Sequence, residues 1–287
     1  MGDIARVREV NVDDVRKVVA ELAIHANCFI GDDIIHKLEE GREEEESSLA
    51  KNVLTQILEN ARIARECNMP ACQDTGMAVV FLEIGQDIHF VGGDLYDAIN
   101  EGVSEGYIKG YLRKSVVKEP YTDRINTGNN TPTIIHTEIV PGNKVKISIA
   151  PKGFGSENMS QLKMFKPADG VDEIIEFVLN VVREAGPNPC PPVVLGIGIG
   201  GTMEKASLMA KKALLRRLDE PNPDEEVRRL EERLLKLVNE LGIGPQGFGG
   251  KTTALGINIE VFPTHIAGLP VAVNVSCHAT RHESTVI

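Results

Sequence analysis

The chain has 287 residues, of which 42% are hydrophobic, so it can bury a sizeable core in one large domain or two closely packed ones, and disorder is not expected. A net charge of −11 argues against nucleic acid and anionic membrane as partners, although a local cationic pocket can still hold a small anion. No stretch approaches the roughly 18 continuous apolar residues of a membrane span, and the charged start has no secretory hydrophobic region, so a cytoplasmic protein is expected.

In chain order, Asn11 caps a helix in which Val12, Val15, Val18, Val19 and Leu22 recur at helical spacing. A second helix is expected over Asp32–Glu40. The acidic run Glu43–Glu46 reads as the solvated first turn of a long helix through Leu49, Val53, Leu54, Ile57, Leu58 and Ile63 to Cys67, a packed or incidental cysteine. That helix delivers the chain into Pro70-Ala71-Cys72-Gln73-Asp74-Thr75-Gly76, and Met77–Ile84 then reads as a largely buried strand. Asp94 starts a helix ending near Arg113, followed by the polar loop Asn126–Pro132. Alternating Ile134–Val140 and Val145–Ala150, separated by Pro141-Gly142-Asn143, predict a hairpin. Lys152–Asn158 is a glycine-bearing loop whose backbone donors can approach an anion.

Asp169–Ala185 is the next helix, which the proline-rich segment around Cys190 cannot continue. Val193–Ile197 reads as a buried strand running into Gly198–Gly201 and a helix from Met203 to about Leu218. Asp224–Leu241 is a highly charged helix whose Glu225/Arg229 and Glu232/Lys236 spacings suit an exposed face. A second glycine-rich loop, Gly242–Lys251, precedes strands over Ala254–Val261 and Pro270–Val275, with His265 between them. Interleaved helices and strands predict a layered α/β or α+β fold with mixed sheets, as one domain over 1–287 or two packed lobes.

Three cysteines carry the chemistry. Cys72 lies between a proline and a glycine, Cys190 in Gly186-Pro187-Asn188-Pro189-Cys190-Pro191-Pro192, and Cys277 in Asn274-Val275-Ser276-Cys277-His278. Turn-forming neighbours put all three on polar loops, where thiols ligate metals or react, whereas buried cysteines are inert. In a reducing compartment five scattered cysteines favour metal or catalysis over disulfides. Structural zinc draws ligands in close pairs, and the chain has no C-x-x-C. Single thiolates on distant loops suit an iron–sulfur cubane instead, with three protein ligands leaving one iron open as a Lewis acid. The plain alternative, three ordinary cysteines, is the usual truth for any one of them and less plausible for all three together. Asp74, two positions from a thiolate, must point near such a site or be buried at heavy cost. His265 and Arg113, taken singly, read as a satisfied loop histidine and a surface ion-pair residue. Gly196-x-Gly198-x-x-Gly201 satisfies the dinucleotide fingerprint but lacks the acid at the end of a second strand, and Gly244–Thr252 misses the phosphate-loop spacing by one residue.

These motifs together resemble class I fumarate hydratases, oxygen-sensitive iron–sulfur hydro-lyases, and their relatives the L-tartrate dehydratases. The resemblance covers nearly the whole chain and is carried by Pro70–Gly76, Leu112–Ser115, Asn126–Pro132, Lys152–Asn158, Cys190–Pro192, Gly200–Thr202, Phe248–Lys251, Pro263–His265 and Val275–Cys277. It implies a [4Fe–4S] cluster on Cys72, Cys190 and Cys277, dicarboxylate contacts from Gln73, Arg113 and the backbone at Gly155, and Asp74 and His265 close to the reacting carbons; a dianion needs at least two cations, and Lys251 is the one the motif loops offer beside Arg113. The family's proton-abstracting threonine is missing. One-chain members carry it on a second domain beyond the last cysteine, and here the chain stops ten positions after Cys277. The expectation is therefore an alpha subunit completed by a beta subunit, two copies of each. Fumarate and L-malate are the expected substrates, with L-tartrate as the near rival; a non-enzymatic iron–sulfur sensor or electron carrier and a nucleotide-binding module are rivals of other classes.

Overall fold

A computed structural model describes residues 7–287; residues 1–6, the first part of the charged start, lie outside the described residues. The chain divides into two compact units. One comprises the chain up to Phe29, Ile63–Lys152 and Arg281–Ile287, and the other comprises Ile30–Arg62 and Gly153–Thr280. Both are layered assemblies of helices on mixed sheets, the α/β arrangement expected.

In the first unit α1 (Val12–Cys28) and α4 (Leu95–Lys109) start where the sequence places caps: Asn11 Oδ1 accepts from the Asp13 N–H, and Asp94 accepts from those of Tyr96 and Asp97. Their apolar stripes, including Val15, Val19, Ile99, Val103 and Tyr107, share one core with the sheet. The helices approach closely because Gly102 and Gly106 have no side chain; a Cβ there would lie 2.5 Å from the Arg16 carbonyl and 2.7 Å from that of Ala20.

The sheet corrects the hairpin. β4 (Ile134–Val140) and β5 (Val145–Lys152) are both strands, but β2 (Met77–Gly85) lies between them, parallel to β4 and antiparallel to β5, in the order β10-β5-β2-β4 with β10 at Glu283–Val286. β2 alternates Ala78, Val80, Leu82 and Ile84 into the core, and its inner place buries its second face too. Its exit closes the gap, since the N–H groups of Gly85, Gln86 and Asp87 bond to the carbonyls of Lys144, Val140 and Gly142. β1 (Arg8–Asn11) and β3 (Ile88–Val91) form a separate parallel pair.

The second unit holds the sheet β6-β9-β7-β8, with β6 at Gln161–Phe165, β7 at Val193–Gly200, β8 at Ala254–Phe262 and β9 at Leu269–Ser276. One face packs on α6 (Gly170–Ala185) and α8 (Glu225–Asn239), through Val178, Val182, Leu234 and Val238 against Leu195, Ile197, Ile257 and Val273. The other carries α7 (Met203–Ala213). Here the dinucleotide-like glycines find their use: a Cβ on Gly196 or Gly198 would lie 2.0 or 2.1 Å from the carbonyls of Ala210 and Ala206, so they let α7 lie directly on β7.

Several boundaries differ from expectation. α4 ends at Lys109 and α7 at Ala213, both earlier than the sequence suggests, and Phe154–Glu157 inside the expected loop forms the short helix α5. The acidic run does not open α3 (Ser48–Cys67) but ends α2 (Asp32–Glu44), and Glu45 is buried, accepting the Thr252 N–H at 2.7 Å. α8 likewise buries a charge on its supposedly solvated surface. Glu225 pairs with Arg229 and Glu232 lies 4.0 Å from Arg228, but Glu231 turns inward, where its Oε1 accepts from Arg216, Asn222 Nδ2 (3.1 Å) and the Ile259 N–H (2.7 Å). Truncating it strands a buried guanidinium. Glu231→Ala should lower stability by about 3 kcal/mol in guanidinium unfolding, whereas Glu225→Ala on the exposed surface should stay within about 0.5 kcal/mol.

Candidate active site

The Cys72 loop runs between α3 and β2 in the first unit, out of reach of any ladder. Its backbone oxygens are held by side chains instead. Arg281 Nη2 donates to the Asp74 carbonyl (2.8 Å), the Tyr107 hydroxyl donates to the carbonyls of Thr75 (2.7 Å) and Gly76 (3.1 Å), and Asn130 Nδ2 donates to Gly76 (3.1 Å). Arg281 also reaches Asn27 Oδ1 at 3.1 Å, while the Asn27 carbonyl accepts from the Ala71 N–H. Asp74 folds back so that its Oδ1 accepts the Gly76 N–H at 3.0 Å. Gly76, at φ +73°, passes so close to Lys152 that a Cβ would lie 2.6 Å from its carbonyl carbon. The loop leaves Cys72 and Asp74 half-buried and Gln73 exposed.

Thr75 ties in Arg113 through a hydroxyl donated to the Arg113 carbonyl at 3.0 Å, with the arginine itself exposed. Arg113 stands at the base of an arm closed by a bridge between Val117 and Asn126 and by Asn130, whose Oδ1 accepts the Ser115 N–H at 2.7 Å. At the arm's tip the Glu119 carboxylate accepts from the Thr122 hydroxyl and from the N–H groups of Tyr121, Thr122 and Asp123, which pull its pKa down to about 2.

Cys190 and Cys277 belong to the second unit, and the structure brings their loops together. Cys190 is exposed at φ +54°, and its carbonyl lies 2.9 Å from Nδ1 of His278, the residue after Cys277. Cys277, half-buried, has its carbonyl held by the Thr280 hydroxyl at 2.8 Å. Gly155, second in α5, faces the Cys190 segment, since a Cβ would lie 3.6 Å from the Asn188 carbonyl. His265 is exposed, on a loop pinned by Thr264 Oγ1 donating to the Gly201 carbonyl (2.9 Å); its Nδ1 accepts the Ala267 N–H, so the neutral ring presents its proton on Nε2. Lys251 is exposed and ion-paired with Glu46 at 2.6 Å.

Among the described residues, no three His, Cys, Asp or Glu side chains gather as ligands around a single metal ion would. A cubane makes a different demand, because each thiolate binds its own iron. In donor chemistry Cys72, Cys190 and Cys277 suit that demand, as thiols on polar loops; Cys28 is buried, with its thiol pushed up by burial, and Cys67 is exposed, not packed, but ends α3 and lies on no such loop.

Residues 16–286 match the sequence model of the family described as fumarate hydratase (fumerase). The chain belongs to that family. Fumarate hydratase family relatives include a protein of Methanocaldococcus jannaschii, 44% identical over 93% of this chain and 95% of its own, provisionally named L(+)-tartrate dehydratase subunit alpha. The L(+)-tartrate dehydratase subunit alpha of Escherichia coli K12 is 31% identical over 96% of this chain and 91% of its own. The family is one of hydro-lyases.

Tyr107, Asn130, Arg281, His278 and Gln246 support these loops, and the sequence reading gave none of them a role. Tyr107 reads only as a core position. Asn130 sits in a motif, but nothing local shows that it holds Ser115 and Gly76 at once. Two outcomes test the scaffold. Tyr107→Phe removes a buried donor shared by two carbonyls and should cost about 1–3 kcal/mol, with faster amide exchange over residues 72–76. Glu119 has a folded pKa below its unfolded one, so its contribution is complete above the ordinary glutamate range and disappears as pH falls through about 2; the Thr122 and Asp123 amide shifts should hold down to about pH 3 and then move together.

Proposed function

We propose that this chain is the alpha subunit of a two-subunit hydro-lyase that interconverts fumarate and L-malate and holds a [4Fe–4S] cluster through Cys72, Cys190 and Cys277. The observation that carries the reading is the coincidence of a fumarate hydratase match over residues 16–286 with three accessible cysteines on polar loops. The name "subunit alpha" borne by the relatives supports a beta partner; two copies of each chain are what the family resemblance implies for the assembly.

When bound, the cluster supplies a Lewis-acid position for the hydroxyl that is added or removed. The chain's own groups handle the rest. Both substrate carboxylates are ionised, which makes the proton on the neighbouring carbon very weakly acidic, so charge developing there needs fixed cations and donors. Arg113 suits one carboxylate, as a planar fork on an arm anchored at Thr75 and Asn130, with Gln73 and the Gly155 backbone as neutral donors. Lys251 must exchange Glu46 for substrate, so the second cation is assigned chiefly to the beta subunit. Asp74, restrained by the Gly76 N–H, accepts or orients the transferred proton, and His265, whose Nδ1 is occupied by the Ala267 N–H, serves as a donor through Nε2–H.

L-tartrate is the second reading, favoured by the relatives' names. Anaerobic co-purification with the beta subunit should give a complex containing iron and sulfide that turns over fumarate and L-malate faster than L-tartrate; the reverse order would select tartrate. Cys72→Ser should reduce both cluster content and turnover to background. A reconstituted complex inactive on fumarate, malate and tartrate alike would sink the proposal.

A further inference from the structure

The Cys190 and Cys277 loops meet at a third element. In the glycine-rich loop that links α8 to β8, the turn Pro245–Gly247 places Gln246 at φ +53°, ψ +18°, the left-handed region that L side chains rarely adopt. Its neighbours Gly244, Gly247, Gly249 and Gly250 also have positive φ, so glycine is the cheap solution in this loop. Gln246 departs from it, and its side chain is occupied. The backbone N–H donates to the Pro191 carbonyl at 2.7 Å, and side-chain Nε2 donates to the same oxygen at 2.9 Å. The same Nε2 lies 3.2 Å from His278 Nδ1. The Cys190 carbonyl, 2.9 Å from that Nδ1, can only accept, which puts the ring proton there; the Gln246 amide therefore packs against the imidazole while its hydrogen bond goes to Pro191.

We infer that Gln246 is a positioning residue, a clamp that fixes the distance between the Cys190 and Cys277 loops before any metal arrives. Pro191 follows Cys190 and His278 follows Cys277, so a side chain touching both residues sets the relation between the two thiols without touching either sulfur. Prolines make the Cys190 segment stiff but give it few donors of its own, so it is fixed from outside, at the Cys190 carbonyl by His278 Nδ1 and at the Pro191 carbonyl by Gln246. The clamp's purpose rests on the cluster reading proposed above; its geometry does not.

The test separates the two. In the full chain stripped of cluster and kept reduced, dibromobimane links two thiols only when they lie within its short span, and peptide mapping identifies the Cys190–Cys277 product. Gln246→Gly relieves the left-handed backbone, so its thermal unfolding should be unchanged or higher, yet linking should slow about fivefold, as suits the loss of one neutral hydrogen bond. Gln246→Glu keeps the length but opposes a carboxylate to the Pro191 carbonyl and should slow linking at least as much. After reconstitution both variants should release iron to a chelator faster than the parent chain. Linking in Gln246→Gly at the parent rate would overturn the inference, because the amide would then be dispensable. Failure of the parent chain to take up iron would defeat the cluster reading alone, and the linking comparison would still decide the role of Gln246.

Discussion

A loop that presents a thiol and a carboxylate cannot satisfy its own backbone. Residues 72–76 lie between the end of α3 and the start of β2, and a buried carbonyl without a donor costs about as much as a lost hydrogen bond. Tyr107, fully buried on α4, meets this need with one hydroxyl shared between two carbonyls, and Asn130 and Arg281 complete the set. These three side chains come from a helix, a loop and the C-terminal segment, so the position of Asp74 depends on the whole first unit being folded. The close packing of α1 on α4, which Gly102 and Gly106 permit, holds Tyr107 in place, and a shift between the helices would move Tyr107 and, with it, the loop.

The same logic applies to three of the strained backbone positions. Cys190, Gln246 and Asn130 are non-glycine residues at positive φ, a conformation that glycine adopts at no steric cost. Each employs a side chain that glycine lacks. Asn130 joins the Arg113 arm to Gly76, Gln246 joins the Pro191 carbonyl to the His278 ring, and Cys190 offers its thiol. Strain kept in this way marks a position where the side chain's contribution exceeds its conformational cost.

The sequence was most informative where structure is local. Helix starts at Asn11 and Asp94, the apolar periodicity of α1, and the runs of β2, β7 and β9 all depend on neighbours within a few residues. The hairpin failed because pairing is a long-range property: two alternating strands joined by Pro-Gly-Asn look like partners, and nothing between residues 134 and 150 announces that β2 will lie between them. Glu45 and Glu231 failed similarly. A carboxylate in an acidic or charged stretch reads as solvated until its partners are known, and the Thr252 N–H is 207 positions from Glu45. At the candidate site the loops that carry Cys72, Cys190 and Cys277 were legible as loops from proline and glycine placement. The residues that brace them were not, because a tyrosine on a helix face has the same local signature whether its hydroxyl is spare or essential.

The groups that brace the first unit's loop also share an electrical property. Burial pushes the Tyr107 phenol well above its usual range, so it stays neutral and donating at any ordinary pH. Glu119, which organises the tip of the Arg113 arm, is held ionised down to about pH 2. Neither Tyr107 nor Glu119 changes charge state near neutrality, so the bracing of the loop and of the Arg113 arm keeps its shape across the ordinary pH range. For the acid–base chemistry proposed above this matters, because a support that titrated alongside the proton-transferring groups would alter their geometry at the moment of transfer.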